Sequence, residues 1–138
     1  MVLKLHGYAF STCTARVATV LREYNIPFEL IEVDLSKAEH KSEAFMKIQP
    51  FGQVPYIDDN GFKLYESRAI ARYIATKYRA NVKASLMPDA ATETERYSKF
   101  EQAASIELSK FDPYASIAAL ELVIKAWVPS ILPWLYWN

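Results

Sequence analysis

Ser11 is the residue whose type and place most invite chemistry. It stands where a short strand and its loop hand over to a helix, in the run Ser11-Thr-Cys-Thr-Ala-Arg-Val17. Backbone N–H groups at such a handover lack helical partners and point at whatever lies in front of them. They favour an anion, and a hydroxyl there adds one more donor. A bound thiol has an ordinary pKa of about 8.5, and lowering it by two units takes roughly 2.7 kcal/mol. One hydrogen bond to a charged acceptor contributes about 1.5–3 kcal/mol and the helix terminus about 0.3–1 kcal/mol. A single serine can therefore supply the activation. The same serine also reads as a plain helix N-cap, and the local pattern leaves both roles open.

Its neighbours are weaker candidates. Thr12 offers a second hydroxyl that can substitute or assist, although a first-turn helix residue is its more ordinary role. Cys13 is a tempting nucleophile. Two helical steps from Ser11 are about 200° of rotation, so both cannot face one ligand, and Cys13 reads as a small buried hydrophobe. Arg16 either tunes the local field or is structural or solvated, and His6 reads as a strand-end residue without a catalytic role.

Three further groups carry chemistry. In Gln53-Val54-Pro55, a proline opens a strand. With its X-Pro bond cis, the Val54 backbone would turn outward and pair with an extended peptide; otherwise Pro55 is an ordinary edge-strand proline. Glu66-Ser67 opens a helix, where free N–H groups and the Ser67 hydroxyl can hold a carboxylate while Glu66 holds an ammonium. Helix capping is the bland alternative. His40 and Lys41 can meet a second carboxylate, or simply belong to a solvated charged loop.

The elements that must position these groups follow from periodicity. Residues 2–6 alternate as a strand that Gly7 ends. Val17, Ala18, Leu21 and Tyr24 line one helical face, which Asn25 and Pro27 stop. Residues 28–33 form a second strand, so a parallel βαβ unit is expected. A short helix is expected around 43–48. Val54 to Asp58 and Phe62 to Tyr65 flank Asp59-Asn60-Gly61, a strong hairpin signal because both Asn and Gly accept positive φ. Ile70, Tyr73, Ile74 and Tyr78 form the face of the next helix. This order is an α/β, thioredoxin-like layout, βαβαββα, over residues 1–82. A linker at 83–90 follows, and then a partial all-α region over 91–138. There Tyr97, Phe100, Ala104, Leu108 and Phe111 recur at helical steps, and Pro113 should kink or split the helix. The last stretch, Trp127 to Asn138, holds all three tryptophans, two prolines and no charged side chain.

Bulk composition narrows the class. Apolar residues make up 51% of 138, enough for a packed core. Lys+Arg and Asp+Glu both number 16, so the basic excess that nucleic acid or an anionic membrane favours is missing. With one cysteine, neither an internal disulfide nor a cysteine metal cluster can form, which fits a reducing compartment. No secretory leader is evident, and no window reaches the roughly 18 apolar residues of a membrane span. A soluble, cytoplasmic protein is expected.

Leu3-Lys-Leu-His-Gly7, the Ser11–Val17 run, Glu39-His-Lys41, Gln49-Pro-Phe-Gly-Gln-Val-Pro55 and Leu64-Tyr-Glu-Ser-Arg-Ala-Ile-Ala-Arg-Tyr-Ile74 together resemble the phi class of glutathione transferases of plants and fungi. The resemblance is nearly unbroken over 1–80 and looser to about 126. It implies that Ser11 hydrogen-bonds the glutathione sulfur, with Thr12 beside it. His40, Lys41 and Gln53 would meet the glycyl carboxylate. Val54 would pair with the cysteinyl unit ahead of a cis Pro55, and Glu66 and Ser67 would hold the γ-glutamyl head. The implied reaction is attack of the glutathione thiolate on a small hydrophobic electrophile. Glutathione is the co-substrate, and no metal or other cofactor is expected. Phe51 resembles a residue that joins two subunits, which implies a homodimer. Members of this family continue past residue 126 through further helices that line the electrophile site. A truncated helical domain is therefore expected, with its apolar faces exposed, and with it the alternative of a non-catalytic glutathione-binding or dimerisation module. A third reading, a thiol oxidoreductase using Cys13, requires a mixed disulfide with glutathione.

Overall fold

The computed structural model describes residues 2–124, so the Trp- and Pro-rich segment Trp127–Asn138 lies outside the described residues. The chain forms two units, Met1–Met87 and Pro88–Asn138.

The first unit is built on strands β1 (Leu3–Gly7), β2 (Phe28–Glu32), β3 (Tyr56–Asp59) and β4 (Phe62–Tyr65), ordered β2-β1-β3-β4. β1 pairs parallel with β2 and antiparallel with β3, which pairs antiparallel with β4. Helix α1 (Thr12–Glu23) is the crossover between the two parallel strands. It ends at Tyr24, after which Asn25 takes φ 53°. A 3-10 turn (Glu39–Lys41) and the short α2 (Glu43–Met46) lead to β3, and α3 (Ser67–Lys77) follows the hairpin. Asn60 and Gly61 have φ of 56° and 93°, as the hairpin signal requires. β3 starts at Tyr56 rather than at Val54: the ladder to β1 begins at Tyr56, and Pro55 before it has no N–H to donate; the Val54–Pro55 bond is cis.

Strand alternation divides the core in two. Leu3, Leu5 and Ile57 face one side and pack with Val17 and Leu21 of α1, with Tyr24 that caps it, and with Ile70 and Ile74 of α3. Tyr56 faces the other side with Val33 and Phe45, under α2. Gly7 is required by close approach: a Cβ there would lie 2.6 Å from the Thr14 side chain. The stretch after α3 is pinned rather than loose, since the buried Tyr24 hydroxyl bonds the Ser85 hydroxyl at 2.8 Å and accepts the Leu86 N–H at 2.9 Å.

The second unit contains α4 (Thr94–Ile106) and α5 (Asp112–Ala119). Pro113 does split the helical run. The chain widens into a π-helical turn over Glu107–Phe111, where the Asp112 N–H reaches the Glu107 carbonyl. The extra residue in the turn accommodates a proline ring that would meet the carbonyl four residues back. Among the described residues of α4 and α5 none is buried, and Ile106, Leu108, Phe111, Tyr114 and Ile117 are exposed.

Asp59, at the end of β3, is the polar anchor of the first unit. Its side chain is 1% exposed. One oxygen, Oδ2, accepts from Tyr73 Oη (2.8 Å), Lys77 Nζ (2.6 Å) and Tyr78 Oη (2.8 Å). Burial alone would raise the carboxyl's pKa, but these donors together hold it below the ordinary value. A lowered folded pKa means stabilisation that is present above the unfolded value, near 4, and lost as pH falls through the folded one. Asp59→Asn should therefore cost about 2 kcal/mol at pH 7. In urea titrations the gap to the native chain should stay constant from pH 5 to 8 and close below about pH 4.

Candidate functional site

The sheet register brings the candidate groups to one end of the first unit. His6, near the end of β1, faces Tyr56, and Tyr56 faces Tyr65, the last residue of β4. The chain leaves β1 toward Ser11, enters β3 from Val54-Pro55, and leaves β4 toward Glu66-Ser67, all at that same end.

Ser11 is the N-cap of α1. Its backbone is extended, and its Oγ accepts the Thr14 N–H at 3.3 Å. The loop before it is held by the Ser11 N–H on the Tyr8 carbonyl (2.9 Å) and the Tyr8 N–H on Thr14 Oγ1 (3.3 Å). Capping uses only a lone pair of the hydroxyl, which keeps its proton as a donor. The capping and thiol-binding readings are thus compatible. Thr12 is the first residue of α1 and is exposed.

Cys13 departs from its expected burial. It is half-buried, and Arg16 Nη1 lies 3.5 Å from its sulfur. Arg16 departs from the solvated reading as well: the same Nη1 donates to Ser67 Oγ at 2.7 Å. No local signal pairs residues 51 apart, so sequence reasoning misses this bridge between α1 and the start of α3.

Glu66 caps α3 with φ 70° and ψ 104°, a backbone region L-residues avoid, and makes no side-chain cap bond. Ser67 is 6% exposed. A strained non-glycine residue persists where its surroundings impose it, and such positions gather at ligand sites.

The His40-Lys41 turn packs against the segment before Pro55. Lys41 Nζ donates to the Phe51 carbonyl at 3.3 Å. Gly52 has φ 58°, and a Cβ there would come within 2.8 Å of Lys41 Cδ and 2.9 Å of the His40 carbonyl. The Gln53 N–H donates to Oε1 of Gln49 at 3.2 Å, and Gln49 is 2% exposed. Gln49 is a second positioning residue that periodicity does not reveal. His40 Nδ1 is buried and has no hydrogen-bond partner among the described residues. Burial, and then the Lys41 charge, lower the His40 pKa. Among the described residues no three His, Cys, Asp or Glu side chains gather as a metal site.

The Glu66 backbone generates a test independent of any ligand. Ala and Gly at this position both remove the carboxylate, but only Gly relaxes the positive φ. Glu66→Gly should be more stable than Glu66→Ala by about 1 kcal/mol in urea denaturation, and equal stabilities would show that the conformation carries no strain.

Comparison with known proteins gives this geometry its family. The family model for the glutathione S-transferase N-terminal domain matches residues 1–76. Glutathione S-transferase hmp2 of Hypomyces subiculosus is 51% identical over 125 residues, covering 91% of this chain and 57% of that protein. Glutathione S-transferase PM239X14 of Arabidopsis thaliana is 46% identical over 125 residues, covering 89% and 56%. Among solved structures, glutathione transferase F2 from Populus trichocarpa matches with TM-score 0.83 and 36% identity, covering 89% of this chain and 56% of that one. A glutathione S-transferase I solved with lactoylglutathione matches with TM-score 0.80 and 27% identity, covering 91% and 57%. The chain thus spans a little over half the length of these relatives. It belongs to the glutathione S-transferase family, and its plant and fungal relatives agree with the phi-class resemblance of its motifs.

Proposed function

We propose that this chain binds glutathione at the shared end of β1, β3 and β4 and activates its thiol for attack on small hydrophobic electrophiles, a detoxifying conjugation. The observation that carries the reading is the register His6–Tyr56–Tyr65, which gathers Ser11, Val54 and Glu66-Ser67 at one place. The solved relative that holds lactoylglutathione supports it.

In this reading the Ser11 hydroxyl donates to the sulfur and stabilises the thiolate, with Thr12 beside it. The thiol proton passes to solvent, and the sulfur forms a bond to the electrophilic carbon as that carbon's leaving group departs with its electron pair or, in an addition, as a π pair shifts to the adjacent atom and takes up a proton from solvent. The backbone of Val54, ahead of Pro55 and outside the β-ladder, pairs with the cysteinyl unit. Glu66 takes the γ-glutamyl ammonium, and Ser67 with the α3 terminus takes its carboxylate. His40, Lys41 and Gln53 take the glycyl carboxylate. Glutathione is consumed as co-substrate, with no resident metal or other cofactor. We place the protein in the cytoplasm; no helix among the described residues is long and apolar enough to cross a membrane. Phe51, 61% exposed, supports a homodimer.

The exposed apolar residues of α4 and α5 favour a second reading, a glutathione-binding module with little turnover. Conjugation of glutathione to a chromogenic electrophile, set beside calorimetric binding, separates the two. Turnover supports the enzyme; binding without turnover supports the module.

Ser11→Ala tests the role of the hydroxyl. If Ser11 lowers the thiol pKa by about two units, the variant should lose roughly a hundredfold in rate near pH 6. The deficit should shrink as pH rises past about 8.5, where the thiol ionises unaided. A deficit that is flat with pH would mean Ser11 acts only as a cap.

A further inference from the structure

Ser67 is a nearly buried hydroxyl whose oxygen already accepts a short hydrogen bond, 2.7 Å, from Arg16 Nη1. A serine hydroxyl carries one proton and two lone pairs. With Arg16 as a fixed donor, that proton must point to an acceptor elsewhere. Among the described residues no side chain or carbonyl accepts it, and the residue is 6% exposed. The neighbouring groups at the start of α3 are backbone N–H groups, which are donors as well. The hydroxyl proton and these amides together suit an anion with two acceptor oxygens, such as a carboxylate.

We infer that Arg16 is a positioning residue for the α-carboxylate of the γ-glutamyl group: by donating to the Ser67 oxygen, it makes the Ser67 hydroxyl a committed donor toward that carboxylate. The inference rests on the glutathione reading above and assigns Arg16 a task that the sequence motif does not. Arg16 acts through Ser67 and does not touch the reacting sulfur. A cation on the oxygen also polarises the O–H bond and strengthens the outgoing hydrogen bond. The same nitrogen lies 3.5 Å from Cys13 Sγ, one turn earlier on α1.

The test is a double-mutant cycle read by calorimetry with two ligands. Glutathione carries the α-carboxylate; 4-aminobutanoyl-Cys-Gly lacks it and keeps the ammonium, thiol and glycyl carboxylate. Arg16→Gln should weaken glutathione about tenfold and leave 4-aminobutanoyl-Cys-Gly within twofold of the native affinity. In a Ser67→Ala background, Arg16→Gln should cost nothing more. Should Arg16→Gln fail to fold by circular dichroism, Arg16→Met, which keeps the aliphatic stem and removes every donor, carries the same comparison. Equal weakening of both ligands would overturn the inference in favour of a merely structural arginine. A full further loss in the Ser67→Ala background would overturn it in favour of direct contact between Arg16 and the carboxylate. In both cases the glutathione reading stands. Failure of the native chain to bind either ligand would remove that reading and this inference together.

Discussion

The first unit depends on a single carboxylate oxygen. Hydrophobic burial brings α3 onto the sheet through Ile70 and Ile74 against Leu5 and Ile57, but burial is non-directional and tolerates sliding. Asp59 Oδ2 removes that freedom by taking three donors from Tyr73, Lys77 and Tyr78. A helix is stiff, so fixing its second half fixes its first residue. From Tyr73 back to Ser67 is six residues, about 9 Å of rise. The place of Ser67, and of the strained Glu66 before it, is therefore set from a hairpin at the opposite end of the strands. The donors are divided between one cation and two hydroxyls, so the carboxylate is neutralised without a second buried charge. Lys77 itself remains 42% exposed.

Two helix starts, those of α1 and α3, then meet at one end of the sheet. Each leaves unpaired N–H groups, and side by side they would repel without an anion between them or a brace across them. The described residues show the brace: Arg16 on α1 bonding Ser67 on α3. Placing a cation beside two positive helix ends looks unfavourable. It becomes reasonable when the region is meant to hold negative charge, as a thiolate near Ser11 and a carboxylate near Ser67 would supply. The cost of Glu66 at φ 70° has the same logic, because a relaxed backbone there would turn the first N–H groups of α3 elsewhere.

Local rules made most of this fold legible. Alternation in 2–6, the Asn60-Gly61 turn and the 3.6-residue faces of α1 and α3 each depend on neighbours in sequence, and all are found in the structure within a residue or two. Ser11 was legible for the same reason, since an N-cap is defined by the residues that follow it. What escaped depends on distant partners. Arg16 reads as a solvated or structural residue until a serine 51 positions away accepts from it. Gln49 escaped for a different reason: it lies inside a legible motif and its partner is only four residues on, but no periodicity tells that its side chain accepts the Gln53 N–H just ahead of Val54. Tyr24 was legible as core, but its hydroxyl pinning Ser85 and Leu86 was not, because a tyrosine's polar end has no period. Pro113 was legible as a break, whereas the π-turn that accommodates it is a choice between hydrogen-bond registers that sequence does not fix.

The division of labour along the chain also bears on mechanism. Every residue assigned to glutathione, from Ser11 to Ser67, precedes Met87, and so does every member of both buried clusters. The groups that would hold and ionise the thiol thus stand on a core complete within one unit. The described part of α4 and α5 buries no side chain and offers apolar ones to solvent. In the proposed reading, ionising the thiol requires donors near the sulfur, and the Ser11 hydroxyl at the start of α1 would be one. Conjugation further requires an apolar wall that excludes water and holds the electrophile within reach of that sulfur. In the proposed reading, glutathione affinity and the thiol pKa would therefore follow from residues 2–87.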